Sequence, residues 1–124
     1  MDRKICLDTD ILIQIMRDDE KLKNKINSLN ASFYTTSINL FEIWQGHKKG
    51  EETLNLLEPL LKLNFDENSA FFAGDLQRKL SDKGNLLDFR DLFIGAICIK
   101  NNVELMTLNS KHFLRLKQFG LKLV

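Results

Sequence analysis

Apolar and polar positions alternate along this chain in short blocks, and their period switches repeatedly between that of a strand and that of a helix. Ile5-Cys6-Leu7 predicts a short strand. Residues 10–17 (DILIQIMR) then repeat their apolar positions at helical spacing, and a second helix is expected over about 21–29. Residues 32–35 predict another strand, after which Ser37 is placed to cap a helix over 38–45 that stops at Gly46. From 51 to 63, leucines at 54, 57, 60, 61 and 63 mark a helical face that Pro59 weakens in its middle. A short strand is expected around 63–65, then helices over 68–81 and 89–100. The second of these is almost wholly apolar and must be buried. A strand over 103–107, a short helix over 110–117 and a closing strand over 121–124 complete the series. A repeated βα pattern of this kind predicts an α/β fold, a parallel sheet covered by helices on both faces, in one domain over residues 1–124.

Composition agrees with that picture. At 124 residues and 44% hydrophobic content the chain can bury a core without disulfide or metal staples. With 28% charged residues and one proline, it is neither a disordered tail nor a coiled coil. The longest apolar or glycine run, residues 92–99, is far short of the roughly 20 residues that cross a bilayer. Met1-Asp2-Arg3-Lys4 leads into only three apolar residues before Asp8, which is no signal-peptide core, so a cytoplasmic protein without membrane contact is expected. Cys6 and Cys98 lie in apolar stretches without a nearby partner and are expected as buried, reduced thiols. The net charge of +1 neither demands nor excludes a polyanionic partner. Its distribution is uneven: residues 110–124 hold Lys111, Arg115, Lys117 and Lys122 and no acid.

Ligands of parallel sheets bind beyond the carboxyl ends of the strands, where strand order reverses, so acids falling there are the first candidates for chemistry. Asp8 directly follows the first strand. It could equally cap the next helix, although Asp10 is better placed for that. Glu42 sits in Ile38-Asn39-Leu40-Phe41-Glu42-Ile43-Trp44, a helix apolar on nearly every side, where it is either a simple surface glutamate or a carboxylate that needs a compensating cation or donor, a metal being the compensation that would also explain its setting. Asp88 and Asp91 open the buried helix. Asp88 fits a cap, whereas Asp91 is held at the edge of the core and aimed toward the sheet end. Thr107 and Asn109 close the next strand and could also cap the short helix after it. His47 and His112 lack metal spacing and read as ordinary surface or half-buried residues. Trp44, Phe33, Phe41, Phe71 and Phe72 are core or contact surface, with core the default for most of them.

In this order and spacing, Leu7-Asp8-Thr9-Asp10-Ile11-Leu12-Ile13, Thr36-Ser37-Ile38-Asn39-Leu40-Phe41-Glu42-Ile43, Asp91-Leu92-Phe93-Ile94-Gly95-Ala96 and Thr107-Leu108-Asn109-Ser110-Lys111-His112-Phe113 form a set. End to end, the chain resembles PIN-domain ribonucleases, specifically the small VapC-type toxins of prokaryotic toxin–antitoxin pairs. The resemblance implies a three-layer α/β/α sandwich with a central five-stranded parallel sheet. It also implies an endoribonuclease site in which Asp8, Asp91 and Glu42 hold Mg²⁺ or Mn²⁺. Asn109 lies where many members carry a fourth acid and others carry Asn, and Asp10 replaces a common Asn, so Asp10 or Asp88 could restore the missing charge. Further implied are a homodimer and a cognate antitoxin covering the active site, with a groove lined in part by the helix over 38–44.

Hard oxygen ligands suit Mg²⁺, which keeps several waters and shares substrate phosphate oxygens. The expected reaction is in-line attack of water on an RNA phosphodiester, leaving 5′-phosphate and 3′-hydroxyl ends. Arg90, Lys111 and Arg115 are the candidate contacts to the RNA backbone. A signalling receiver domain fits poorly, because no convincing strand precedes Asp66 and no strand-end lysine closes the chain. Two alternatives stay open: a PIN nuclease of ribosomal RNA processing without an antitoxin, and a catalytically inactive PIN-fold binding module, which Asn109 would suit.

Overall fold

The computed structural model describes residues 3–46 and 50–124. Strands β1 (Arg3–Leu7), β2 (Ala31–Thr36), β3 (Leu61–Leu63) and β4 (Glu104–Met106) pair in parallel in the order β3-β2-β1-β4. In the register, Cys6 stands between Tyr34 of β2 and Leu105 of β4. Successive side chains of a strand point to opposite faces. Accordingly Ile5 and Leu7 enter one apolar cluster and Cys6 the other. The first cluster is built on α1 (Thr9–Met16), α2 (Glu20–Ser28), α3 (Ser37–Gly46) and α4 (Gly50–Leu57), the second on α5 (Glu67–Asp82), α6 (Phe89–Lys100) and a 3-10 helix, Ser110–Phe119. Three layers result, because a parallel sheet must bury both faces.

The expected fifth strand is the main correction. The sheet has four strands, and residues 121–124 meet β4 only through a single parallel bridge, Leu105 with Leu123. Gly120, in the left-handed region at φ 105°, turns the chain so that Leu105 alone exchanges backbone bonds with it, at 2.8 and 3.0 Å. Two smaller shifts have local causes. The leucine-rich helix ends at Leu57 ahead of Pro59, and Leu61 and Leu63 pass into β3. The helix expected to start at Asp10 starts at Thr9, with Asp8 as its cap.

Helix α6 is as buried as its composition requires, with Leu92, Ile94, Gly95, Ala96, Ile97 and Cys98 all inside. Gly95 allows a close approach there: a Cβ would stand 2.2 Å from Cδ1 of the fully buried Leu116, which would have to shift. Cys6 and Cys98 are free and buried, as expected, and their mutual hydrogen bond together with burial holds the Cys6 thiol well above its usual range. The aromatic residues divide. Phe33 and Phe72 are partly buried against the core, but Phe41 (65% exposed), Trp44 (55%) and Phe71 (67%) lie on the surface, so the core default fails for three of the five and the surface alternative holds there. Among the described residues no helix is long and apolar enough to cross a membrane.

At the start of α5, the Asp66 carboxylate accepts from the Ser69 amide and hydroxyl, both at 2.8 Å, and from Lys100. These bonds, the Ser69 amide foremost, lower its pKa to about 2. A depressed folded-state value stabilises the fold above the unfolded carboxylate pKa, and that contribution is lost as pH falls from about 4 to about 2. Asp66→Asn should therefore lower the urea midpoint at pH 6, and its deficit against the wild type should shrink across that acid window. A deficit independent of pH would show that the charge is not what matters.

Candidate active site

Chain connections place the site. From β1 the chain moves outward to β2 and β3, then crosses back to β4 on the other side of β1, so strand order reverses between β1 and β4. That crevice is where parallel sheets bind ligands. Asp8 follows β1 there, and Thr107 follows β4. The Thr107 hydroxyl donates to Asp8 Oδ2 at 2.7 Å.

Asp8 is wholly buried and fully bonded. Its Oδ1 accepts from the Thr9 amide (2.8 Å), from Asn39 Nδ2 (2.9 Å) and from Arg90 Nη2 (2.7 Å). It caps α1 and belongs to the cluster at once, so the two readings of this aspartate coexist. Asn39 is also wholly buried, and a reciprocal cap aims it. The Asn39 amide N–H donates to Thr36 Oγ1 while the Asn39 side-chain oxygen accepts from the Thr36 amide and hydroxyl. Thr36, rather than the expected Ser37, closes the start of α3, in a box where Asn stands for the usual Glu or Gln. Ser37 instead accepts from the Phe65 amide beyond β3.

Three carboxylates converge on one guanidinium. Arg90 donates from Nε to Glu42 Oε2 at 2.6 Å, from Nη1 to Asp91 Oδ1 at 2.7 Å and from Nη2 to Asp8 Oδ1. Burial alone would lower the pKa of this group, but the bonds to Glu42, Asp91 and Asp8 hold it above its ordinary value. Glu42 is fixed from its other side by the Thr9 hydroxyl, at 2.6 Å. The compensation that the apolar helix demanded is therefore a cation plus a donor from this same chain. Arg90, expected at the RNA backbone, instead points inward from the first turn of α6, to Asp8 at the end of β1 and to Glu42 on α3.

Asp10 flanks the cluster. Its Oδ2 accepts from the Leu108 amide (3.1 Å) and Asn109 Nδ2 (3.2 Å), while its Oδ1 is buried with no hydrogen-bond partner among the described residues. Burial first, and then the neighbouring Asp8 charge, raise its pKa, against the lowering effect of the Leu108 amide and the Thr107 hydroxyl. Asn109 makes no side-chain cap bond and serves as a donor to Asp10. Asp88 holds the N-cap position of α6, but its exposed carboxylate makes no cap bond and has no tie to Arg90. Lys111 is exposed, and Arg115 is engaged with the Leu86 carbonyl at 3.0 Å. His47 lies outside the described residues. His112 is the residue that spacing failed to find: its Nδ1 is 3.6 Å from Asp91 Oδ2, a contact made possible by the 3-10 turn from Asn109 to His112.

The donor set tests whether a divalent ion suits the site. Asp8, Glu42 and Asp91 are hard oxygen donors drawn to one positive centre, and the orphaned Asp10 oxygen lies beside them, which fits Mg²⁺ or Mn²⁺ in kind. Their spacing is that of the guanidinium: among the described residues, no three His, Cys, Asp or Glu side chains stand close enough to hold an ion.

A parallel α/β domain with clustered acids at its strand-order reversal has the place where folds of this class bind ligands, and comparison with known proteins narrows it. The PIN domain family model matches residues 5–118. Ribonuclease VapC1 of Methanocaldococcus jannaschii is 32% identical over 123 residues, covering 97% of this chain and 86% of the relative. Among solved structures, VapBC2 from Rickettsia felis, bound to a DNA fragment from its promoter, superposes with a TM-score of 0.79 at 26% identity, over 98% of this chain and 97% of that one. A toxin–antitoxin complex from Klebsiella pneumoniae superposes at 0.75 with 23% identity, over 89% and 90% of the two chains. The chain belongs to the PIN domain family, among the VapC ribonucleases.

Proposed function

We infer that this protein is a divalent-metal-dependent endoribonuclease and the toxin of a toxin–antitoxin pair. The observation that carries the reading is the convergence of Asp8, Glu42 and Asp91 on one cation at the switch point of a PIN fold. Three acids bond to Arg90, and Asp10 sits beside Asp8 through the shared Thr107 hydroxyl, so the cluster keeps a surplus of negative charge. An RNA phosphate cannot enter such a field without further cations. When bound, a divalent ion supplies that charge and activates water. Asp8, Glu42 and Asp91 hold it, Thr107 and Asn39 fix the orientation of Asp8, and Thr9 fixes that of Glu42. Asp10, tied to Asn109, contributes the fourth acid. Asp88, exposed and without a bond to Arg90, is left out of this set. Lys111, adjacent to His112 at the Asp91 side, positions the RNA backbone.

For partners, a cognate antitoxin is inferred from neighbours solved as toxin–antitoxin complexes, and a homodimer from the resemblance to the family. Exposed Phe41 and Trp44 on α3 give an apolar surface to cover, and the same helix contributes Glu42 and Ile43 to a cleft of about 580 Å³ in which Ile13, Ile15 and Leu56 stand among Arg17, Asp18, Lys23 and Glu52. Such a cleft suits helix-in-groove binding. The direct test is incubation of the purified chain with a structured RNA in Mg²⁺, in Mn²⁺ and in excess chelator, with chemical analysis of the new ends. Cleavage only with metal, giving 5′-phosphate and 3′-hydroxyl ends, is expected. Chelator-resistant cleavage, or 2′,3′-cyclic phosphate ends, would refute the metal-assisted hydrolysis. Binding of RNA without cleavage under all conditions would favour the binding-module alternative.

A further inference from the structure

We propose that Arg90 is a resident counter-cation which a divalent ion must displace, so that loading of the acidic cluster is gated by one arginine side chain turning outward. The proposal rests on the metal-nuclease reading above and adds to it a competitor built into the chain.

The geometry makes the two cations mutually exclusive. All three carboxylates spend an oxygen on Arg90, each from a different guanidinium nitrogen, so the acids stand around the rim of a planar fork. An octahedral Mg²⁺ shell needs its oxygens at about 2.0–2.1 Å from one point. While the guanidinium holds them apart, no three acids or histidines of the described residues are close enough to share an ion. Removing the arginine lets the same carboxylates close on a smaller and doubly charged centre.

An outward path exists. The Arg90 side chain keeps 29% of its surface exposed, and its neighbours Asp88 and Phe89 at the start of α6 are exposed. Turned out, the guanidinium stands at the mouth of the cluster, where a phosphate oxygen is its natural partner. Thus the phosphate contact anticipated for Arg90 and the inward contact observed belong to two states of one side chain. Metal selects the outward state, and its apparent affinity is reduced by the fraction of molecules in that state. With the arginine inward in roughly 90–99% of metal-free molecules, the apparent dissociation constant is raised about 10- to 100-fold.

The test is calorimetric titration of Mn²⁺ into the metal-free full chain, for the wild type, Arg90→Gln, Arg90→Lys and Asp8→Asn, with circular dichroism on each as the folding control. Arg90→Gln should bind Mn²⁺ about tenfold or more tightly than the wild type, Arg90→Lys should fall between them, and Asp8→Asn should lose the site. General damage to the fold would weaken binding, so tightening reports competition. Equal or weaker binding by Arg90→Gln, beside an Asp8-dependent site in the wild type, would overturn the gate and leave the metal reading standing. No Asp8-dependent binding in any variant would overturn both. Should Arg90→Gln not fold without metal, Arg90→Lys decides by the same criterion, together with the Arg90 Nε–H resonance of the wild type. That resonance should lose its protection from solvent exchange at saturating Mg²⁺, and persistence of the protection would refute displacement.

Discussion

Asp8→Asn is expected to lower metal-dependent RNA cleavage by at least about a hundredfold while leaving the chain folded. Even the groups that merely orient metal ligands are worth about 10- to 100-fold in affinity or activity, and Asp8 is proposed as a ligand itself. The retained amide oxygen can still accept from Thr9, Asn39 and Arg90, as Oδ1 does now. On the other side, the new amide nitrogen meets the Thr107 hydroxyl, which can rotate from donating to accepting. What vanishes is one negative charge from a cluster with too many. The charge-assisted bond to Arg90 weakens, but repulsion from Asp10, Glu42 and Asp91 falls as well, so stability should change by no more than about 1–2 kcal/mol. Cleavage of a labelled RNA beside a thermal melt separates the two effects. A folded variant that cuts at the wild-type rate would remove Asp8 from the metal set.

Much of this was legible in the sequence, for identifiable reasons. The bounds of α6 follow from the apolar run at 92–99, with Asp88 placed to cap ahead of it and Lys100 and Asn101 after it, which leaves little freedom for another assignment. Glu42 announced its need for a counter-charge by standing in an apolar helix, and the structure supplies one. What could not be read is which way a flexible side chain turns. Arg90 and Asp91 are adjacent, and nothing in their order says that both face inward. Nor does spacing reveal that a 3-10 turn, rather than an α-helical one, brings His112 back to Asp91. The missing fifth strand has the same character: residues 121–124 have strand composition, but their pairing is settled by the short β4 and the turn at Gly120. Asn39 left one faint signal, the Thr36-Ser37-Ile38-Asn39 spacing of a reciprocal helix cap.

That residue carries the second large effect. Asn39→Ala should destabilise the protein by about 2–4 kcal/mol, because four buried groups lose a partner and a small cavity opens. The Thr36 amide and hydroxyl lose their acceptor, while Asp8 and Thr9 Oγ1 each lose a donor. Asn39→Asp isolates the electrical part of this role. Its shape is nearly unchanged and it can still accept from Thr36, but it turns a carboxylate oxygen toward Asp8 where an N–H stood. Two carboxylates in buried contact cannot both ionise cheaply, so the folded pair must retain a proton that the unfolded chain has already released. The folded-state pKa of that pair is then raised above the unfolded value, and this fixes the sign: stability present below the unfolded carboxylate pKa is lost as pH rises through the folded one. Urea denaturation at pH 5 and pH 7.5 should therefore show Asn39→Asp falling further behind the wild type at the higher pH, while the Asn39→Ala deficit stays nearly constant. Parallel pH dependence in the two variants would mean that Asn39 acts through packing alone, and that Asp8 is held for metal by Thr9, Thr107 and Arg90 without it.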